Sequence, residues 1–207
     1  MAGVVPIPML VPRSSAALST VGPADSDDAL MCRVRQGEVS ELSLLFERHQ
    51  APLLNFFLRL GSPRASAEDL VQDVFVRILK YRATYRPGSK FTTWLYYIAR
   101  NVRLDHLHKR RGEVEWDDAY TPGFVPNDAA QSGQEQELLA RALQRLPAEK
   151  REILILSRFQ ELRYEEIGAL LDCETGTVKV RVHRALRELR EQYQFLARRR
   201  NDEGGAA

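Results

Sequence analysis

The stretch YEEIGALLDCETGTVKVRVHRALRELR, Tyr164 to Arg190, decides how this chain is read. Ile167, Leu170 and Leu171 mark the apolar side of one short helix, and Val178, Val182, Ala185 and Leu189 mark that of a second. The residues between leave room only for a tight turn, so the pattern predicts a helix-turn-helix. Gly168 in the first helix lets the second pass close to it. Opposite the apolar stripe of the second helix, Lys179, His183, Arg184 and Arg187 face outward. A helix carrying those side chains into a DNA major groove meets phosphates and base edges. A solvated basic surface is the competing reading of the charges alone; the turn beside them favours DNA contact.

Working outward, the formal net charge of +2 hides a division along the chain. Residues 29–111 carry 15 basic and 7 acidic groups, and residues 138–200 carry 14 and 9, whereas residues 112–137 carry no base and 7 acids. Two basic modules are therefore joined by an acidic connector. Basic modules gain free energy by releasing counterions from nucleic acid, and an acidic tether is repelled by the same duplex. The connector contains Pro122 and Pro126, three glycines and no apolar period, which predicts irregular structure. Its Trp116, Tyr120 and Phe124 call for a surface to rest on, either a partner groove or the chain's own domains.

Other function classes find little support. Cys32 and Cys173 are far apart and outside any CxxC spacing, which fits a reduced cytoplasmic setting and gives no metal site. His106 and His108 face different ways on a helix, so the histidines supply no metal site either, and no cofactor is expected. No nucleophile constellation, phosphate loop or paired-carboxylate site points to an enzyme. Residues 1–27 are mildly apolar but lack a basic start and are broken by Pro6, Pro8 and Pro12, so they read as a disordered extension rather than a signal peptide or membrane span.

Almost every periodic segment predicts helix. Asp28 can cap a short helix ending at Gly37, and Ser40 can open a second that runs to Leu60 and is kinked or split by Pro52. Ser66 to Asp69 forms an S-x-x-D start for LVQDVFVRILKY, a mostly buried helix with Glu68, Asp69, Gln72, Asp73 and Arg77 as its polar edge. That edge is either ordinary solvated surface or a docking surface for a basic partner helix. Tyr85-Arg86-Pro87-Gly88 predicts a turn, followed by FTTWLYYIARNVRLDHLHKRR, aromatic at its start and basic at its end. Rings beside cations suit unpaired bases, since stacking is worth about 1 to 3 kcal/mol per base. Trp94 keeps core spacing; Tyr85, Tyr96, Tyr97 and Asn101 are the better contact candidates. The expected architecture is all-α: two small helical domains, residues 28–111 and 138–197, joined by the irregular acidic linker 112–137, with a disordered tail at 198–207.

Three blocks, AEDLVQDVFVRILKY, FTTWLYYIARNVRLDHLHKRR and LPAEKREILILSRFQELRYEEIGALLDCETGTVKVRVHRALRELR, together resemble the bacterial RNA polymerase sigma factors of the extracytoplasmic-function group. The resemblance implies a promoter-melting helical bundle followed by a helix-turn-helix domain, acting with core RNA polymerase through its clamp helices and flap. It implies that Asp69, Gln72, Asp73 and Arg77 dock on the clamp helices. It also implies that Tyr85 and Asn101 line a pocket for a flipped minus-ten base, with Tyr96 and Tyr97 nearby and Arg100, Arg103 and Lys109 on backbone or duplex. Thr177, Lys179, Val180, Arg181, His183, Arg184 and Arg187 inherit minus-thirty-five contacts. The linker is expected in a channel otherwise holding nucleic acid, and a cognate anti-sigma factor is expected as an inhibitory partner. Two positions depart from the family pattern: Asp172 stands where glycine is usual and must take a left-handed backbone, and Val180 stands where a small polar residue is common and can meet a thymine methyl group. The alternative is a stand-alone helix-turn-helix regulator, which binds duplex operators without polymerase.

Overall fold

The structure, a computed structural model, describes residues 26–113 and 133–204. The expectations for residues 1–25, for the linker stretch 114–132 with Trp116, Tyr120 and Phe124, and for residues 205–207 lie outside the described residues. Among those described, eight α-helices and no strand occur, in two lobes.

The first lobe begins with α1 (Asp27–Gln36). Ser26 caps it, its side chain accepting from the Ala29 N–H, and Asp27 and Asp28 fill the first turn, where negative charge suits the helix dipole. The cap is thus Ser26 rather than Asp28, whose side chain is engaged elsewhere. Gly37 ends α1 at φ 113°, a left-handed position that glycine occupies without strain. Helix α2 (Leu42–Arg59) runs unbroken through Pro52, contrary to a split there. Leu45, His49, Leu53 and Phe56 on one face are buried on both sides of the proline, and their packing outweighs the one backbone bond it removes. Helix α3 (Arg64–Tyr81) starts behind Pro63, whose φ of −57° already suits a helix, so Ser66 falls inside the first turn instead of capping it. Helix α4 (Phe91–Glu113) packs along α3 and buries Phe91, Leu95, Ala99 and Val102.

The second lobe comprises α5 (Gln134–Gln144), α6 (Ala148–Leu154) with a π-helical turn at Ile155–Phe159, α7 (Tyr164–Leu171) and the long α8 (Thr175–Gly204). Helix α4 extends into the expected linker and α5 begins inside it, while α8 continues across residues 198–204, where a disordered tail was expected. Helices α7 and α8 form the helix-turn-helix. Asp172 takes the left-handed conformation at φ 52° and ψ 52°, and the Cys173 N–H returns to the Gly168 carbonyl at 2.9 Å. A Cβ added to Gly168 would lie 2.6 Å from the Cys173 carbonyl oxygen, so backbone, not a flexible side chain, would have to move. Gly168→Ala is expected to destabilise the second lobe by about 1 to 3 kcal/mol, the usual cost of overpacking. Thermal unfolding reads this directly, and an unshifted midpoint would contradict the close approach.

The lobes are not held apart. One buried apolar cluster runs from Leu30 to Ala185, with α4 against α7 and α2 against α5 and the π turn. Polar bonds cross the seam. The Gln144 side chain donates to the Arg59 carbonyl at 3.0 Å, and Arg151 donates to the Leu60 carbonyl at 3.2 Å, both at the C-terminal end of α2. The Arg59 guanidinium lies 4.3 Å over the Phe159 ring, and Lys90 pairs with Glu166 at 3.2 Å.

Candidate nucleic-acid interface

Three faces hold the residues singled out in the sequence. The first is the outer side of α3. Leu70, Val71, Val74, Phe75 and Ile78 are buried, which turns Asp69, Gln72 and Asp73 to solvent. Arg77, half-buried, pairs with Asp105 of α4 at 2.7 Å, so it ties α3 to α4 rather than standing alone. Val76 is 63% exposed and falls in the same row as Asp69, Gln72 and Asp73, at helical spacings of three and four. It was overlooked in the sequence, although an apolar residue off the buried stripe was the available signal.

The second face is built by the turn before α4 and by α4 itself. The Ser89 N–H returns to the Arg86 carbonyl at 3.0 Å and Gly88 has φ +81°, giving the expected turn. Tyr85 enters it as a buried residue, 1% exposed, its hydroxyl donating to the Ser89 carbonyl at 2.6 Å and to Asp28 at 3.3 Å. Burial holds that phenol well above its ordinary pKa, with the nearby Asp28 carboxylate acting in the same direction. Along α4, Trp94, Tyr97 and Asn101 form a half-buried row at helical spacing, and Lys109 is exposed. The Trp94 ring meets that of Tyr85 edge-on at 5.2 Å.

Of the remaining predicted residues of α4, Tyr96 and Arg100 bond to the other lobe and Arg103 bonds within its own. Tyr96 is 3% exposed, and its hydroxyl donates to Gln160 just after the π turn. Arg100 pairs with Glu152 of α6 at 3.2 Å. Arg103 donates to the Leu60 carbonyl at 3.2 Å, beside Arg151, so arginines from both lobes converge on the end of α2. Burial lowers the pKa of both arginines; Glu152 opposes this at Arg103 and Arg100 adds to it.

The third face is α8. Val178, Val182 and Ala185 are buried beneath it, while Thr177, Lys179, Val180, Arg181, His183, Arg184 and Arg187 are all exposed. At 100° per residue Val180 and Arg187 point directly away from the buried stripe, with His183 and Arg184 beside them. Thr177 and Lys179 flank this face, and Arg181 lies nearest the packed side. Arg187 approaches Glu191 at 3.9 Å, an exposed contact of little consequence. The result is a cationic outward surface with an apolar centre, Val180, which is 49% exposed.

A family model described as sigma-70 region 2 matches residues 45–113, and one described as sigma-70, region 4 matches residues 136–189. The chain is 35% identical over 164 residues to RNA polymerase sigma factor CarQ of Myxococcus xanthus, covering 78% of this chain and 94% of that one. The chain belongs to the extracytoplasmic-function sigma factors. It is 29% identical over 187 residues to the ECF RNA polymerase sigma-E factor of Escherichia coli strain K12, covering 84% and 97% of the two chains. Among solved structures it is similar to the sigma factor RpoE from Bartonella quintana, crystallised with the anti-sigma factor NepR. That match has 29% identity and a TM-score of 0.66, and covers 73% of this chain and 96% of the other.

As a sigma factor the chain recognises promoters and serves transcription initiation by RNA polymerase. The stand-alone regulator is not favoured, because a region 2 lobe accompanies the helix-turn-helix. Geometry does revise which aromatics this sigma factor presents. Tyr85 and Tyr96, the contact candidates of the sequence, are packed inside, whereas Trp94, which keeps core spacing, is half-buried and packed against the core beside Tyr97. The physical reason is hydrogen bonding: each buried phenol finds an acceptor, at Ser89 or at Gln160, which offsets the cost of burying its hydroxyl. Among the described residues, no helix is long and apolar enough to cross a membrane.

Proposed function

We propose that this sigma factor divides promoter recognition between its lobes and contributes no catalytic group of its own. The outward face of α8 enters the major groove of the minus-thirty-five element. There Val180 meets a thymine methyl group, and Thr177, Lys179, Arg181, His183, Arg184 and Arg187 meet bases and phosphates. The turn before α4 and the row formed by Tyr97 and Asn101 receive unpaired minus-ten bases, with Arg100, Arg103 and Lys109 neutralising the backbone. Tyr85 supports the turn from beneath. Capture of unpaired bases offsets the few kcal/mol, roughly, that unstacking costs, so binding alone can drive opening. Asp69, Gln72, Asp73 and Val76 dock on the clamp helices of core polymerase, with Arg77 holding α3 to α4, and the second lobe meets the flap.

The observation that carries this reading is the exposed cationic face of α8 around Val180, on a helix-turn-helix joined to a region 2 lobe. Similarity to a sigma factor crystallised with an anti-sigma factor supports an inhibitory protein partner, and work with RNA polymerase fits a cytoplasmic setting. The test is reconstitution: purified chain, core polymerase and a promoter library. Initiation from a defined set of start sites carrying two common sequence elements is expected. Absence of selection would overturn the proposal, and tight operator binding by the chain alone without any polymerase-dependent initiation would favour a stand-alone regulator.

A further inference from the structure

The two acidic residues that open α1 hold two different elements. Asp27 pairs with Arg48 at 2.8 Å and with His49 at 2.7 Å, fastening α1 to α2. Asp28 reaches across the lobe, where one of its oxygens accepts from the Phe91 backbone N–H at 2.6 Å and from the Tyr85 hydroxyl at 3.3 Å. Phe91 is the first residue of α4, and the N–H groups of a first helical turn have no partner within the helix. The residue before it is Lys90, whose side chain has no accepting oxygen, so the side-chain cap comes from 63 residues away in the chain. Tyr85 and Phe91 are also the two ends of the turn before α4. One carboxylate therefore grips both stems of that turn.

Other contacts make the grip stiff. The Tyr85 hydroxyl also donates to the Ser89 carbonyl at 2.6 Å, closing the turn from inside. Arg35, on α1 as well, approaches the Ala83 carbonyl at 3.4 Å. The Tyr85 ring is wedged edge-on between Phe91 and Trp94. Above this base Arg86, Pro87, Gly88 and Lys90 are exposed. A loop that is to read a flipped base must be held before the base arrives, because ordering it at that moment weakens binding and blurs discrimination.

We infer that Asp28 is a positioning residue for minus-ten recognition: it touches no DNA and fixes the Arg86–Lys90 turn through Tyr85 and the α4 N-terminus. This rests on the assignment of that turn to unpaired minus-ten DNA proposed above. The test uses holoenzyme made with the full chain and a promoter recovered from the library, together with promoters in which each unpaired minus-ten base is substituted singly.

Asp28→Ala should lower the discrimination between the recovered and substituted promoters about tenfold, the loss expected when a charged hydrogen bond is removed. Affinity for core polymerase and for minus-thirty-five duplex should remain within about twofold, since those faces lie on α3 and α8. Asp28→Asn keeps an accepting oxygen and should restore most of the discrimination. Tyr85→Phe, which deletes only the hydroxyl and leaves the ring packed, should show part of the loss even where Asp28→Ala folds poorly. Unchanged discrimination in Tyr85→Phe and Asp28→Ala, or an equal fall in all three readings, would overturn the inference. Failure of the wild-type holoenzyme to select start sites would instead refute the underlying assignment.

Discussion

Replacing Lys179 and Arg184 together by alanine is expected to weaken binding to minus-thirty-five duplex about 100-fold and to flatten its salt dependence by about two in log-log slope. Both side chains are exposed on the outward part of α8, whose packing rests on Val178, Val182 and Ala185. Their loss removes charge from the DNA face and nothing from the core, so the unfolding midpoint should hold. Each phosphate contact releases about 0.9 counterion-equivalents per charge neutralised, which is why slope and affinity must fall together. Fluorescence anisotropy over a range of salt concentrations reads both. A slope identical to wild type would make these side chains solvated surface, and the recognition face would have to lie elsewhere. Val180→Thr separates specificity from affinity: it should change the base preferred at one position while leaving the slope alone, because no charge is altered.

The second large effect concerns the seam between the lobes. With the lobes packed, Tyr96 is bonded to Gln160 and Arg100 to Glu152 across the seam, while Arg103 is bonded to the Leu60 carbonyl within its own lobe. Two of the cations assigned to minus-ten DNA are thus engaged within the protein, whereas the α8 face is open. The free chain should accordingly bind minus-thirty-five duplex readily and minus-ten single strand weakly, because apparent affinity falls with the fraction of molecules in the competent arrangement.

Loosening the seam with Gln160→Ala and Glu152→Gln should raise single-strand affinity about tenfold, since one neutral and one charged hydrogen bond would be lost from the packed state. Glu152→Gln also leaves Arg100, Arg103 and Arg151 close together without their carboxylate, which favours separation. Energy transfer between dyes on α3 and α8 should report a longer distance in the same double variant. A longer distance with no gain in single-strand binding would remove Arg100 from the contact set.

Much of this was legible in the chain. Helix α8 could be read because its two faces differ sharply: small apolar residues every three or four positions, and cations opposite. The left-handed turn at Asp172 was expected from the glycine usual there in the family, which aspartate's backbone tolerance can replace, and Gly168 from the need for a close approach. Helix α3 was legible in its buried stripe but not in Val76, which periodicity alone leaves unassigned. Helix α4 was the hardest case. Its aromatics are all equally able to pack or to stack, and nothing local distinguishes Tyr96 from Tyr97.

What settles α4 comes from elsewhere in the chain. Tyr96 is inside because Gln160, 64 residues on, accepts its hydroxyl. Tyr85, in the turn before α4, is held inside by the nearby Ser89 carbonyl, with Asp28 of α1 added from 57 residues away. Hydrophobic period, capping residues and turn chemistry act over a few positions, so the sequence by itself determined the helices, the helix-turn-helix and the cationic face of α8. Which polar side chains are consumed by the fold, which remain for a partner, and that the two basic lobes close on each other were decided only by tertiary structure. Those outcomes depend on hydrogen-bond acceptors and apolar surfaces that no local pattern brings together.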